Sequence, residues 1–152
     1  MNEGMGQSGF SRRFEWGLAG VVQLATAGSL VVIVDVLRFT TAVEACNSRG
    51  VAVFPYRWKD AAAQEFANSV GGDLVDSSTN STSALSPVAL LRQSIRESIV
   101  LPSPNGSSCA VVAGEAGATV VAACLRNAAA VAEFVARSSA TVSVIACGER
   151  WP

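Results

Sequence analysis

The 152-residue sequence contains no histidine. That absence excludes Ser-His-Asp and Cys-His catalysis, phosphohistidine chemistry and His-ligated zinc, because each needs an imidazole as base, nucleophile or ligand. Chemistry must come from carboxylates, hydroxyls, amides, arginine, thiols or Lys59, the single lysine. Charge is sparse as well. Only 15% of residues are charged and the net charge is −1, so no basic footprint points to nucleic acid. With half the residues apolar, disorder is not expected either.

The four cysteines, Cys46, Cys109, Cys124 and Cys147, include no C-x-x-C pair, which leaves no zinc or redox-dithiol motif. Each sits among Ala, Val or Ile, as buried free thiols of a reduced compartment do. Glu115 and Ala130 stand six residues after Cys109 and Cys124, where a thiol phosphatase needs Arg. Other phosphate motifs are missing too. There is no G-x-x-x-x-G-K-[ST], and no G-x-G-x-x-G follows a strand, so a Rossmann-like nucleotide binder is disfavoured. A haloacid dehalogenase-type phosphatase needs a second Asp two residues after the first as general acid, and Leu37 occupies that place after Asp35.

One long uncharged stretch is present. Gly17 to Val34 is long enough to reach across a bilayer, follows Arg12 and Arg13, and contains Ala25-Thr26-Ala27, which fits a signal cleavage site. Against this, Glu15 interrupts the basic region, Gln23 sits mid-span, and Ala27-Gly28-Ser29 reads as a turn between a short helix and a strand. A cytoplasmic chain with no membrane partner is expected.

The length suits one domain. Residues 1–11, rich in Gly, Ser, Gln and Asn, read as a flexible leader, and 12–152 as the folded part. From there the pattern alternates. Phe10 to Trp16 suits a short edge strand, and the β-branched run Leu30 to Asp35 suits a strand buried on both faces. Thr41-Ala42-Val43-Glu44 has capping-box spacing for a helix that ends at Gly50. Strand Val51 to Pro55, helix Lys59 to Ser69, a polar loop Asp76 to Ser83, and a helix from Ser86-Pro87 to about Gln93 follow. Strand Ser98 to Leu101, a short helix to about Gly117, strand Thr119 to Cys124, helix Asn127 to Arg137 and strand Thr141 to Cys147 complete the order. This predicts a three-layer α/β/α sandwich with a mostly parallel, mixed sheet.

In such sheets ligands bind beyond the carboxyl ends of the strands. Asp35 with Arg38, Asn105-Gly106-Ser107-Ser108, Arg126-Asn127 and Gly148-Glu149-Arg150 all fall there. Ser107 and Ser108 stand at a helix start, where unbonded amides attract anions. Arg38 or Arg126 suits a phosphate or sulfonate through its guanidinium fork. Asp35 and Glu149 are hard oxygen ligands of the type Mg2+ takes. Simpler readings stand beside these: Asp35 as a cap paired with Arg38, Asn105-Gly106 as a turn, Asn127 as an N-cap.

Several blocks together resemble the 2-phosphosulfolactate phosphatase (ComB-like) family: RFEWG at 13–17, VDVLRFTTAVEAC at 34–46, LSP at 85–87, LPSPNGSS at 101–108, LRNAAAVAEF at 125–134 and VIACGERW at 144–151. The resemblance implies a Mg2+-dependent hydrolase acting on a small anionic phosphorylated substrate, 2-phosphosulfolactate, to give 3-sulfolactate and phosphate in coenzyme M biosynthesis. On matching positions it singles out Asp35, Arg38, Thr40, Thr41, Asn105, Gly106, Ser107, Asn127 and Glu149. Taken with the strand-end reading, which adds Ser108, Asp35 and Arg38 are expected to be catalytic, Asp35 and Glu149 to hold the metal, and Thr40, Thr41, Asn105, Gly106, Ser107, Ser108 and Asn127 to bind substrate. Self-association into a homo-oligomer is left open. Ala84-Leu85 replace the family's usual Gly-Asn, and the family pattern runs past Trp151-Pro152. A C-terminally truncated chain covering the family's N-terminal two thirds is therefore expected, and a non-catalytic member that at most binds small anions is the alternative to an enzyme.

Overall fold

The computed structural model describes residues 7–58, 60–75, 85–92 and 94–148. In chain order its elements are β1 (Arg12–Trp16), α1 (Gly17–Leu24), β2 (Leu30–Val34), α2 (Phe39–Asn47), β3 (Ala52–Tyr56), α3 (Ala62–Ser69), β4 (Asp73–Leu74), α4 (Pro87–Arg92), β5 (Ser98–Pro102), α5 (Gly106–Glu115), β6 (Thr119–Ala123), α6 (Ala128–Ala136) and β7 (Val142–Ala146). The long uncharged stretch is thus divided between α1 and β2. Among the described residues no helix is long and apolar enough to cross a membrane.

The larger sheet has the order β1-β7-β2-β6, with every pair parallel. β2 explains why its sequence carries no polar alternation. Val31 and Ile33 join a cluster with Val21 and Leu24 of α1, Phe39 and Val43 of α2 and Ala113 of α5. Leu30 and Val32, one residue out of phase, pack instead with Val131 and Val135 of α6. Both faces are covered, so both sets of side chains are apolar. The result is a three-layer α/β sandwich, with α6 on one side of this sheet and α1, α2 and α5 on the other.

The expectation of one mixed sheet needs correction. β3, β5 and β4 form a separate parallel sheet in the order β3-β5-β4, and no antiparallel pair occurs among the described residues. The reason lies at β3. Ala52 N–H donates to Glu97 O, so alternate residues face β5, while Val53 and Pro55 turn toward the other edge. Pro55 has no N–H to offer there, which suits an outermost strand. Val53 and Pro55 instead look across a cavity of ≈ 540 Å3 toward Val120 and Ala122 of β6, with Val43 and Ala110 on its walls. The two-residue β4 was absent from the sequence reading because so short a pairing leaves no periodic signal.

Helix starts also moved. α2 begins at Phe39, so the Thr41–Glu44 capping box is not formed: Thr41 Oγ1 donates to Val36 O at 2.7 Å, and Glu44 pairs with Arg126. α3 begins at Ala62, and Lys59, Gln93 and the loop 76–83 lie outside the described residues. Gly50 does lie just past α2 at φ +77°, a left-handed conformation that disfavours any side chain. Of the leader, residues 1–6 lie outside the described part, while Gln7 engages the outer edge of β1. Its amide donates to Phe14 O at 2.7 Å and accepts from Phe14 N at 3.1 Å, occupying groups that an added strand would need.

Ile33 is fully buried and Leu125 is 83% exposed. Ile33→Ala should therefore cost about 2–5 kcal/mol in denaturant unfolding, whereas Leu125→Ala should stay within about 0.5 kcal/mol of wild type.

Candidate functional site

Asp35 follows the last residue of β2 and is the point where two helices begin. Its Oδ1 accepts from Phe39 N at 3.3 Å, at the start of α2, and its Oδ2 accepts from Gly106 N at 3.1 Å, at the start of α5. Its own backbone is also engaged, with Thr40 N donating to Asp35 O at 2.9 Å and Asp35 N donating to Thr40 Oγ1 at 3.1 Å. A carboxylate at a helix start satisfies orphan amides and meets the positive end of the dipole. Here one carboxylate does so for two helices, the second of which starts 71 residues after it in sequence.

This close approach explains Gly106. A Cβ there would lie 2.3 Å from Phe39 Cδ1 and 2.6 Å from Asp35 Oδ2, so no side chain fits between the two helices. The Asn105-Gly106 pair is therefore more than a turn. Asn105 is the N-cap residue of α5, and the helix it opens places the Ser107 and Ser108 amides at its start. The side chains of those serines face inward: both are buried, and Ser107 Oγ donates to Leu101 O at 2.6 Å. What they present to a ligand at the helix start is backbone N–H, not hydroxyl.

The two arginines separate clearly. Arg126 is tied to Glu44 of α2, and that carboxylate raises its pKa through the hydrogen bond and its charge. Arg38 is exposed, sits immediately before α2, and takes part in no ion pair or side-chain hydrogen bond among the described residues. Asp35 and Arg38 are not joined in the ion pair that a purely structural reading of the pair would require. Of the two, Arg38 is the one that no carboxylate engages among the described residues.

The remaining candidates are placed as follows. Thr40 is fully buried with its hydroxyl on the Asp35 amide, so it is not open to a ligand as its position suggested. Thr41 holds the Val36 carbonyl. Asn127 precedes α6 and closes the turn after β6, accepting from Cys124 N at 2.8 Å and donating to Ala122 O at 3.0 Å. Glu149 lies outside the described residues. Phe39 had no signal in the sequence, yet its ring fills the space above Gly106 and its amide holds Asp35.

Cys147 follows β7 beside the same point, with its N–H donating to Val34 O at 3.0 Å. A hydrogen bond with the Cys109 thiol, together with burial, pushes its pKa strongly upward. All four cysteines are free and buried.

The donor set bears on a metal. Among the described residues no group of three or more His, Cys, Asp or Glu side chains is arranged to hold one. Mg2+ does not require such a cage, since it is commonly held by one or two carboxylates with water and substrate phosphate completing the shell. Asp35, at the strand end and with two lone pairs on each oxygen, fits that mode.

Residues 20–150 match the family model described as 2-phosphosulpholactate phosphatase. The chain belongs to this family. No curated protein matches it. The matched span contains Asp35, Arg38, Gly106 and the α5 start, so the convergence of α2 and α5 on one carboxylate lies within the region characteristic of a phosphatase family.

Gly106→Ala tests this packing. The added methyl should overpack the Asp35–Phe39 contact and lower unfolding stability by about 1–3 kcal/mol. A variant as stable as wild type would contradict the contact.

Proposed function

We propose that this chain hydrolyses the phosphate monoester of a small acid with Mg2+, 2-phosphosulfolactate being the foremost substrate and 3-sulfolactate and phosphate the products, as a cytoplasmic step of coenzyme M biosynthesis. The observation that carries this reading is Asp35 held at the end of β2 by the first amides of α2 and α5, with Arg38, exposed and in no ion pair among the described residues, immediately before α2. Membership of a phosphatase family supports the reaction class.

The chemistry follows from charge. A phosphate monoester brings negative charge that must be balanced as the leaving alkoxide departs. Arg38 binds phosphoryl oxygens through its guanidinium, and the Ser107 and Ser108 amides at the start of α5 orient them. Asp35, together with Glu149, would hold a Mg2+ ion, which would supply further neutralisation of the phosphoryl charge. With no histidine in the chain, no imidazole protonates the leaving group. The nucleophile is either the Asp35 carboxylate, giving an aspartyl phosphate, or a water that Asp35 helps to position. In both versions Asp35 also fixes the two helix starts, so its charge and its hydrogen bonds serve position and reaction together.

Two variants separate these contributions. Asp35→Asn should lower the rate of phosphate release at least ~100-fold, because charge is lost at the reacting centre. Arg38→Ala should raise KM by ~10-fold or more through loss of a charge-assisted hydrogen bond, with an unchanged melting temperature because the side chain is exposed. Dialysis against EDTA should abolish turnover and added Mg2+ restore it. Full activity of Asp35→Asn, or phosphate binding without turnover by the unmodified chain, would contradict the proposal.

A further inference from the structure

The two sheets turn strand edges toward each other that no described strand covers. In β6, Thr119 N–H donates to Ser29 O on the β2 side, so Val120 and Ala122 direct their backbone groups the other way. In β3, Ala52 N–H donates to Glu97 O on the β5 side, and Val53 and Pro55 direct theirs outward. Among the described residues β6 pairs only with β2, and β3 only with β5. Val53, Pro55, Val120 and Ala122 all line the cavity of ≈ 540 Å3 between the sheets. Val43 of α2 and Ala110 of α5 wall it on one face and Val131 of α6 on the other. Asn127 marks where the open edge of β6 ends. Its side-chain amide donates to Ala122 O at 3.0 Å and accepts from Cys124 N at 2.8 Å, the two kinds of bond a neighbouring strand makes.

We propose that this cavity is a docking slot for one extended segment of another polypeptide, uncharged and β-branched, which pairs with β6 and β3 at once and joins the two sheets. The backbone groups decide in favour of a strand. The N–H groups of Val53, Val120 and Ala122 and the carbonyls of Val53, Val120 and Pro55 have no backbone partner among the described residues. Donors and acceptors thus stand on both edges, and an extended backbone offers both in alternation to either side. An apolar small molecule would bury these groups unsatisfied. The walls set the side chains: a strand covered on both faces reads as a continuous β-branched run, as β2 does. Glu44, on the cavity lining, is already held by Arg126 and does not call for a cation.

The chain itself has no suitable segment to place there. Every described strand is paired within its own sheet. The stretches 1–6, 76–84 and 149–152 contain no Val or Ile. A second copy could bring only a strand with its own helices packed on it, and α2, α5 and α6 already cover both faces of the slot.

The test uses the full chain, isotopically labelled, and a synthetic peptide carrying Leu-Val-Val-Ile-Val, the run of β2, between pairs of lysines for solubility. At saturating peptide, amide hydrogen exchange at Val53, Val120 and Ala122 should slow at least ~10-fold, because amides that face a cavity become strand-paired. The same peptide with its middle valine replaced by proline should give no protection. Val53→Pro, which removes the donor of the β3 edge, should weaken binding of the original peptide at least ~10-fold. Four outcomes would overturn the proposal: exchange unchanged by peptide; the three amides protected in the chain alone at every concentration, which would place one of its own segments in the slot; protection that grows with protein concentration without peptide, which would make a second copy the occupant; or equal binding of the proline peptide. The two peptides against the unmodified chain decide the matter even where Val53→Pro fails to fold.

Discussion

The Asp35 carboxylate is the interaction on which the rest of the structure turns. It accepts from the first amide of α2 with one oxygen and the first amide of α5 with the other. A helix leaves its first amides without internal partners, and burying such a group unpaired costs about 1–3 kcal/mol. One carboxylate that satisfies two of them fixes both helices relative to the end of β2. Gly106 and Phe39 follow as consequences. The helices approach so closely that one position must lack a side chain and the facing one supplies a flat ring. The same geometry brings two helix starts to the sheet end, the kind of place where, on the function proposed above, an anion would be stabilised. Packing and the candidate chemistry thus share one group.

Much of the architecture was legible in the sequence because parallel strands buried on both faces read as continuous β-branched runs, and Leu30–Val34 is such a run. The glycine after α2 was legible for a similar reason, since few residues adopt its φ. Helix starts were harder. Thr41 and Glu44 have capping-box spacing, but the cap of α2 is supplied from outside the helix by Asp35, and local spacing cannot anticipate a partner held by another element. The division into two sheets escaped for the same kind of reason. It depends on which edge of β3 carries Pro55 and on the packing of α2 and α5 between β3 and β6.

For the site, residue type was legible and role was not. Position at a strand end picked out Asp35, Arg38 and the α5 start. Only the structure distinguishes Arg38, exposed and in no ion pair among the described residues, from Arg126, committed to Glu44. Likewise Thr40 and Asn127 have the polarity of substrate ligands, yet each uses its side chain to hold a backbone turn. A strand-to-helix turn beside a site carries its own unsatisfied amides and carbonyls, and polar residues there are often needed for those first. Cys109 and Cys147 show the converse. They read as ordinary buried thiols, and only the fold sets both on the wall of one small cavity.

The central claim is that the starts of α2 and α5, gathered by Asp35, form the anion site. Titration of isotopically labelled protein with inorganic phosphate, followed by amide and guanidinium NMR, tests it most directly. The account predicts saturable shifts concentrated at the Ser107 and Ser108 amides and the Arg38 Nε–H, with Val53 and Val131, which line the larger cavity, unmoved. Shifts centred on that cavity, with Ser107, Ser108 and Arg38 unchanged at saturating phosphate, would contradict it.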